Sequence, residues 1–232
     1  MTIDTTYRPT HPPELLANLR RITGDHKHEP AALSTLDTLW VLYDRVLRID
    51  PGQPDAPDRD RFLLSKGHGP AAYYAVLASK GFFPADWLDD MGGPTSRLGH
   101  HPDRRLVPGV EISSGSLGHG LGLGIGTTLG LRAQGLSASV FVLIGDAELD
   151  EGSNFEAIAY AGATRLAGLT AIVIDNRSAT HGWPGGIASR FTVNGWTAAT
   201  VNGRDHDAIA DALLQPTTAG PHVVVARVES KS

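Results

Sequence analysis

From residue 137 onward, short apolar runs alternate with amphipathic stretches. "SVFVLI" (139–144), "TAIVI" (170–174), "TAATV" (197–201) and "HVVVARV" (222–228) read as strands. Between the first two, 153–166 carries Phe155, Ile158, Ala159, Ala161, Gly162 and Leu166 on one face, and 205–214 reads as a further helix. Short apolar strands alternating with helices predict an α/β fold: a mostly parallel sheet with helices on both faces. The N-terminal half is less regular. Leu36, Leu39, Trp40, Tyr43, Val46 and Leu47 recur at helical spacing, and Ser34 with Asp37 three residues on predicts a capped start. Residues 50–61, "DPGQPDAPDRDR", read as a loop, with helical stretches after "SKGHG" and over Ala85 to Met91. Residues 1–13 read as a loose, proline-bearing arm. With no convincing linker, the expected organisation is an arm over 1–17 and one domain over 18–232.

Composition narrows the class of function. The chain of 232 residues has no cysteine, which excludes disulfides and thiolate metal sites. A net charge of -5 with no lysine or arginine run argues against nucleic acid or an anionic membrane as main partner. No run approaches the ~18 apolar residues of a membrane span. The N-terminus lacks a basic segment leading into an apolar one. A cytoplasmic protein is expected.

"VFVLIGDAELDEG" (140–152) runs a buried strand into four acids, Asp146, Glu148, Asp150 and Glu151. Such crowding requires something positive among them. In open parallel sheets ligands sit outside the carboxyl ends of the strands, where Gly145-Asp146 and Asp175-Asn176 both fall. Asp146 and Asn176 offer hard oxygen donors suited to Mg²⁺ or Ca²⁺. The helix beginning near Ser153 and the turn Gly145-Asp146-Ala147 offer backbone N–H groups to a phosphate. The alternative is that both are polar strand ends capping the next element. "GSLGHGLGLGIGTTLG" (115–130) has glycines on alternate residues and fits no dinucleotide-binding register. It reads either as a helix packed closely through small residues or as backbone at Gly115–Leu117 lying against a flat or anionic ligand. His26, His28, His68, His100, His101 and His119 all fall in expected loops, where they suit proton transfer and hydrogen bonding to hydroxyls and phosphates.

Three segments in order, "RDRFLLSKGHGPAAYYAVLASKGF" (59–82), "GHHPDRRLVPGVEISSGSLGHGLGLGIG" (99–126) and "GDAELDEGSNFEAIAYAGATRLAGLTAIVIDN" (145–176), resemble the N-terminal, diphosphate-binding domain of transketolase, over about residues 18–228. The resemblance implies the thiamine diphosphate-binding fold, with thiamine diphosphate and Mg²⁺ (or Ca²⁺) as cofactors. It places the metal on Asp146, Asn176 and the backbone carbonyl of Ser178, and the cofactor against Gly145, Asp146, Ala147, Asn176, His68, Gly115 and Leu117. His68, His101 and either His26 or His28, of which His26 is preferred, are implied as catalytic; Glu151 is implied near a subunit interface. Glu148 and Asp150 have no assigned role, and simple solvation is one account of either.

The sequence departs from the family pattern at Ala147, where glycine is usual, at His119, usually glutamine, and at His181, often aspartate. A further histidine that helps enclose the cofactor is expected beyond the last strand and does not occur by Ser232. The family's pyrimidine-binding domain is also not among these residues. The expectation is therefore the N-terminal subunit of a split transketolase acting on sugars or sugar phosphates. It would work with a separate subunit holding the pyrimidine-binding and C-terminal domains, as an α2β2 heterotetramer. The competing readings are a subunit of a 2-oxo acid dehydrogenase or decarboxylase using the same cofactor, and an inactive binding module of the same fold.

Overall fold

The computed structural model describes residues 11–22 and 29–230, the side chains of 29–32 excepted. Five strands form one all-parallel sheet: β1 (Arg61–Leu64), β2 (Val140–Gly145), β3 (Leu169–Asp175), β4 (Thr197–Asn202) and β5 (His222–Arg227), in the order β1-β2-β3-β5-β4. β2, β3 and β5 are almost wholly apolar and occupy the centre, whereas the Thr- and Ala-rich β4 is half exposed at one edge.

Period-two alternation divides the strands between two cores. Phe62, Leu64, Phe141, Leu143, Ile172, Ile174, Val224 and Ala226 face α1 (Pro13–Arg21), α2 (Glu29–Val41), α3 (Ala71–Ser79) and α7 (His206–Leu213). Leu63, Val140, Val142, Ile144, Ala171, Val173, Val223 and Val225 face α4 (Gly120–Ala133), α5 (Gly152–Ala163) and α6 (Ile187–Thr192). Helices thus cover both faces, as the pattern predicts.

Four local expectations change. β1 and α1 were not anticipated: "RFLL" is too short to show a period, and α1 buries only Leu15 and Asn18. α2 starts at Glu29, not at Ser34, and ends in a π-turn over Leu42–Val46. Asp37 therefore lies inside the helix, and its carboxylate serves Arg204, His11 and His206. The segment Ala85–Asp90 is a 3₁₀ turn, not an α-helix.

The glycine segment is a helix, α4, with no strand leading into it, and it packs through two of its glycines. A Cβ on Gly120 would lie 2.2 Å from the Ser65 side chain, and one on Gly124 2.4 Å from Val142. Gly122, Gly126 and Gly130 face open space.

A Cβ on Gly162 in α5 would stand 1.6 Å from the backbone carbonyl oxygen of Asn194. Gly162→Ala should accordingly cost at least about 2 kcal/mol, since backbone must move. Gly122→Ala, in open space, should gain up to ~1 kcal/mol from helix propensity. Denaturant midpoints of the two variants read these opposite signs; equal midpoints would contradict the close α5 contact.

Candidate active site

Three strand ends and one loop converge at the carboxyl edge of the sheet. β2 and β3 are hydrogen-bonded neighbours with Gly145 opposite Ile174, so Asp146 and Asn176 emerge side by side. Their adjacency was inferred from the sequence and holds. Asp146 caps the 3₁₀ turn Ala147–Asp150 by accepting from Ala147 N (2.8 Å). It also accepts from Ser178 N (2.7 Å) and Ser178 Oγ (2.5 Å), which draws the loop after β3 onto the turn after β2. Asn176 is buried, and its Oδ1 has no hydrogen-bond partner. A buried amide oxygen is costly to leave unpaired. Beside a carboxylate, it is the kind of vacant hard donor that a divalent cation takes up. Ala147 is compatible with the turn: the non-glycine residues with positive φ among those described are Arg165 and Arg177.

The loop after β1 carries Ser65, Lys66, Gly67 and His68. A Cβ on Gly67 would meet Ser114 Oγ at 2.4 Å and Gly115 N at 2.7 Å, so this loop lies directly on the 114–118 segment. Gly115 has φ 139°, and a Cβ there would lie 2.8 Å from the ring of His101. Only glycine combines that backbone with that neighbour. His68, His101, Gly115 and half-buried Leu117 therefore lie on segments that meet at Gly67 and Gly115. His26 and His28 lie outside the described residues. Glu151 is exposed at the start of α5, its Cβ 2.6 Å from where a Cβ on Gly118 would be. His119 precedes α4, and His181 N donates to Asp150 Oδ2 at 3.2 Å.

Glu148 is not a solvated acid: it is 1% exposed. Its Oε1 accepts from Ser65 Oγ and from Gly118 N (2.8 Å), and its Oε2 from Gly145 N (3.3 Å). One carboxylate therefore ties together the loop after β1, the glycine loop and the end of β2. Burial pushes its carboxyl above the ordinary glutamate range, against the opposing pull of those hydrogen bonds and of the Lys66 charge. Asp150 also has a structural role, accepting from Thr180 N (3.1 Å) as well as from His181 N.

Cations missed in the sequence stand among these acids. Lys66 is buried, its stem lying over Gly145 and its Nζ 3.5 Å from Ser34 Oγ. Arg190 is buried in a cavity of about 280 Å³ lined by Asp146, Asp150, His181 and Trp183, with its guanidinium 3.7 Å over the Phe155 ring. Burial lowers the Arg190 pKa while the Asp150 charge opposes that shift. Neither cation was identifiable by spacing, because Lys66 reaches the acids from the loop after β1 and Arg190 from α6.

An all-parallel α/β sheet with phosphate- and cation-suited groups at its carboxyl edge defines a class of nucleotide- or diphosphate-binding domain. Within that class, residues 21–227 match the family model described as transketolase, thiamine diphosphate binding domain. The chain belongs to the transketolase family as this thiamine diphosphate-binding domain. It is 37% identical over 194 residues to 6-deoxy-6-sulfo-D-fructose transketolase subunit SqwG of Clostridium sp. (strain MSTE9), covering 81% of this chain and 70% of that protein. It is 53% identical over 220 residues to a Rhodococcoides fascians protein named ferredoxin fas2, covering 94% of this chain and 72% of that one. Having no cysteine, this chain offers no thiolate ligand for an iron–sulfur cluster. Among solved structures, transketolase from Leishmania mexicana superposes with a TM-score of 0.74 at 25% identity, over 88% of this chain. The chain spans 37% of that structure's length. No helix among the described residues is long and apolar enough to cross a membrane.

Proposed function

We propose that this chain supplies the diphosphate- and metal-binding wall of a transketolase active site, transferring a two-carbon ketol unit from a ketose or ketose phosphate to an aldose. The observation that carries this reading is the unpartnered, buried Asn176 Oδ1 beside Asp146 in a thiamine diphosphate-binding domain. Asp146, Asn176 and the backbone carbonyl of Ser178 would hold Mg²⁺ (or Ca²⁺). Gly145, Ala147, Gly115, Leu117 and His68 would line the diphosphate and the middle of the cofactor. When bound, thiamine diphosphate supplies a nucleophilic carbon and an electron sink for cleavage next to a ketose carbonyl.

The protein's part is positioning and proton handling. His101, packed on Gly115, and His68, on the facing loop, would hydrogen-bond the donor sugar near its carbonyl and hold protons at its oxygens. His26 or His28 would add a third such group. A set of groups aimed at sugar hydroxyls favours ketol transfer over 2-oxo acid chemistry, and an open donor on buried Asn176 favours a working site over an inactive module.

The other wall would come from a separate pyrimidine-binding subunit, in an α2β2 assembly. Support comes from the subunit name of the Clostridium relative and from exposed Leu123 and Leu129 on α4 and Phe155 and Tyr160 on α5, beside Glu151. Calorimetric titration of thiamine diphosphate with Mg²⁺ should show tight binding when this chain is mixed with that subunit and weak or no binding to the chain alone. Full-rate ketol transfer by the chain alone would overturn the partner requirement. No binding in either preparation would overturn the cofactor reading.

A further inference from the structure

Away from the strand ends, three residues distant in sequence meet between α2 and α7. His11 Nε2 lies 3.1 Å and His206 Nε2 2.8 Å from the same oxygen, Asp37 Oδ1. Their side chains are 12%, 8% and 3% exposed, respectively. The two imidazole rings lie 5.3 Å apart, tilted by 50°. The other carboxylate oxygen, Asp37 Oδ2, accepts from Arg204 Nη1 at 2.5 Å, and Arg204 is in turn paired with Glu229 at 2.7 Å.

We propose that His11, Asp37 and His206 form a binding site for a transition-metal dication of the zinc type. The three ligand atoms lie within 4.8 Å of one another. A tetrahedral ion with bonds of about 2.0–2.1 Å spaces its ligands about 3.3 Å apart, close to the separations here. Two imidazole nitrogens and one carboxylate oxygen suit Zn²⁺, Co²⁺ or Ni²⁺ and not Mg²⁺ or Ca²⁺, which take oxygen. Three protein ligands leave a fourth position for water. Arg204 on the outer oxygen orients the ligating carboxylate, the usual task of a group just outside a metal's ligands.

The site is chemically separate from the oxygen donors Asp146 and Asn176. It acts instead as a staple, joining the residue two before α1 to α2 and to the first turn of α7. It also bears on the active site, because Ser34, one helical turn before Asp37, lies 3.5 Å from Lys66 Nζ.

The test is titration of the metal-free full chain with ZnCl₂, and with CoCl₂ followed by visible absorption. The wild type should bind one equivalent of Zn²⁺, show the intense d–d bands of tetrahedral Co²⁺, and melt several degrees higher with excess Zn²⁺, by mass action. His11→Ala, a change outside the helices and strands, should weaken Zn²⁺ binding at least ~10-fold. Asp146→Ala should bind Zn²⁺ as the wild type does. His206→Gln serves as a second ligand variant, to be checked for folding by circular dichroism. Equal zinc binding by wild type and His11→Ala, or none by the wild type at millimolar zinc, would overturn the proposal.

Discussion

Asp146→Ala should abolish Mg²⁺-dependent binding of thiamine diphosphate, with at least a 10²-fold loss of affinity. Changing groups that merely orient a metal's ligands already costs about 10–100-fold, and Asp146 is the charged ligand itself. Its position also gives it a second task. Its carboxylate collects Ala147 N, Ser178 N and Ser178 Oγ, so the substitution frees the loop that would present the Ser178 carbonyl. Asp146→Asn separates these tasks in part: its amide oxygen can still accept from Ala147 N and Ser178 Oγ, while its NH₂ faces the Ser178 and Ala179 N–H groups, and it lacks the charge. If charge on the metal dominates, Asn should bind cofactor as poorly as Ala while melting above it and below the wild type. Cofactor titration at several Mg²⁺ concentrations, with melting curves alongside, makes the comparison. Undiminished affinity in Asp146→Ala would remove the metal from this edge of the sheet.

How much of this could be read from the chain depends on how local each cause is. β2, β3 and β5 were legible because central parallel strands are apolar on both faces, and nothing distant is needed to see that. The pairing of Asp146 with Asn176 followed from the same regularity: two consecutive strands joined by one helix place their ends side by side. β1 was hidden by its length, and α1 by its small buried face. Ser34 and Asp37 mimicked a helix start because their spacing is that of a capping box. The competing explanation, Arg204 and His206, lies some 170 residues downstream in sequence and adjacent in space. Lys66 and Arg190 escaped for the same reason. Their partners are reached across loops, and no local pattern marks a cation that will be buried against acids.

Glu148 is the sharpest case of that kind, and it carries the second large prediction. Glu148→Ala should destabilise the folded chain by about 3–5 kcal/mol, because it leaves three donors without their acceptor at about 1–3 kcal/mol for each that stays buried and unpaired. Ser65 Oγ, Gly118 N and Gly145 N would lose their shared acceptor, and Lys66 would lose the carboxylate charge near its buried stem. Because these donors hold the loops bearing His68 and Gly115, cofactor affinity should fall together with stability. Glu148→Gln tests the electrostatics alone. Its carbonyl can still accept from Ser65 and Gly118, while its NH₂ faces Gly145 N–H, so a smaller loss is expected. The folded-state pKa of Glu148 is raised. The stability linked to that shift is therefore fully present below the ordinary glutamate value, about 4.3, and is lost as pH rises through the raised one. Glutamine resembles the protonated form at every pH. The stability advantage of wild type over Glu148→Gln should thus shrink from about pH 4 upward, as measured by denaturant midpoints. An advantage that grows over the same range would mean that Glu148 is held as a favourable anion, with Lys66 and the backbone donors outweighing its burial.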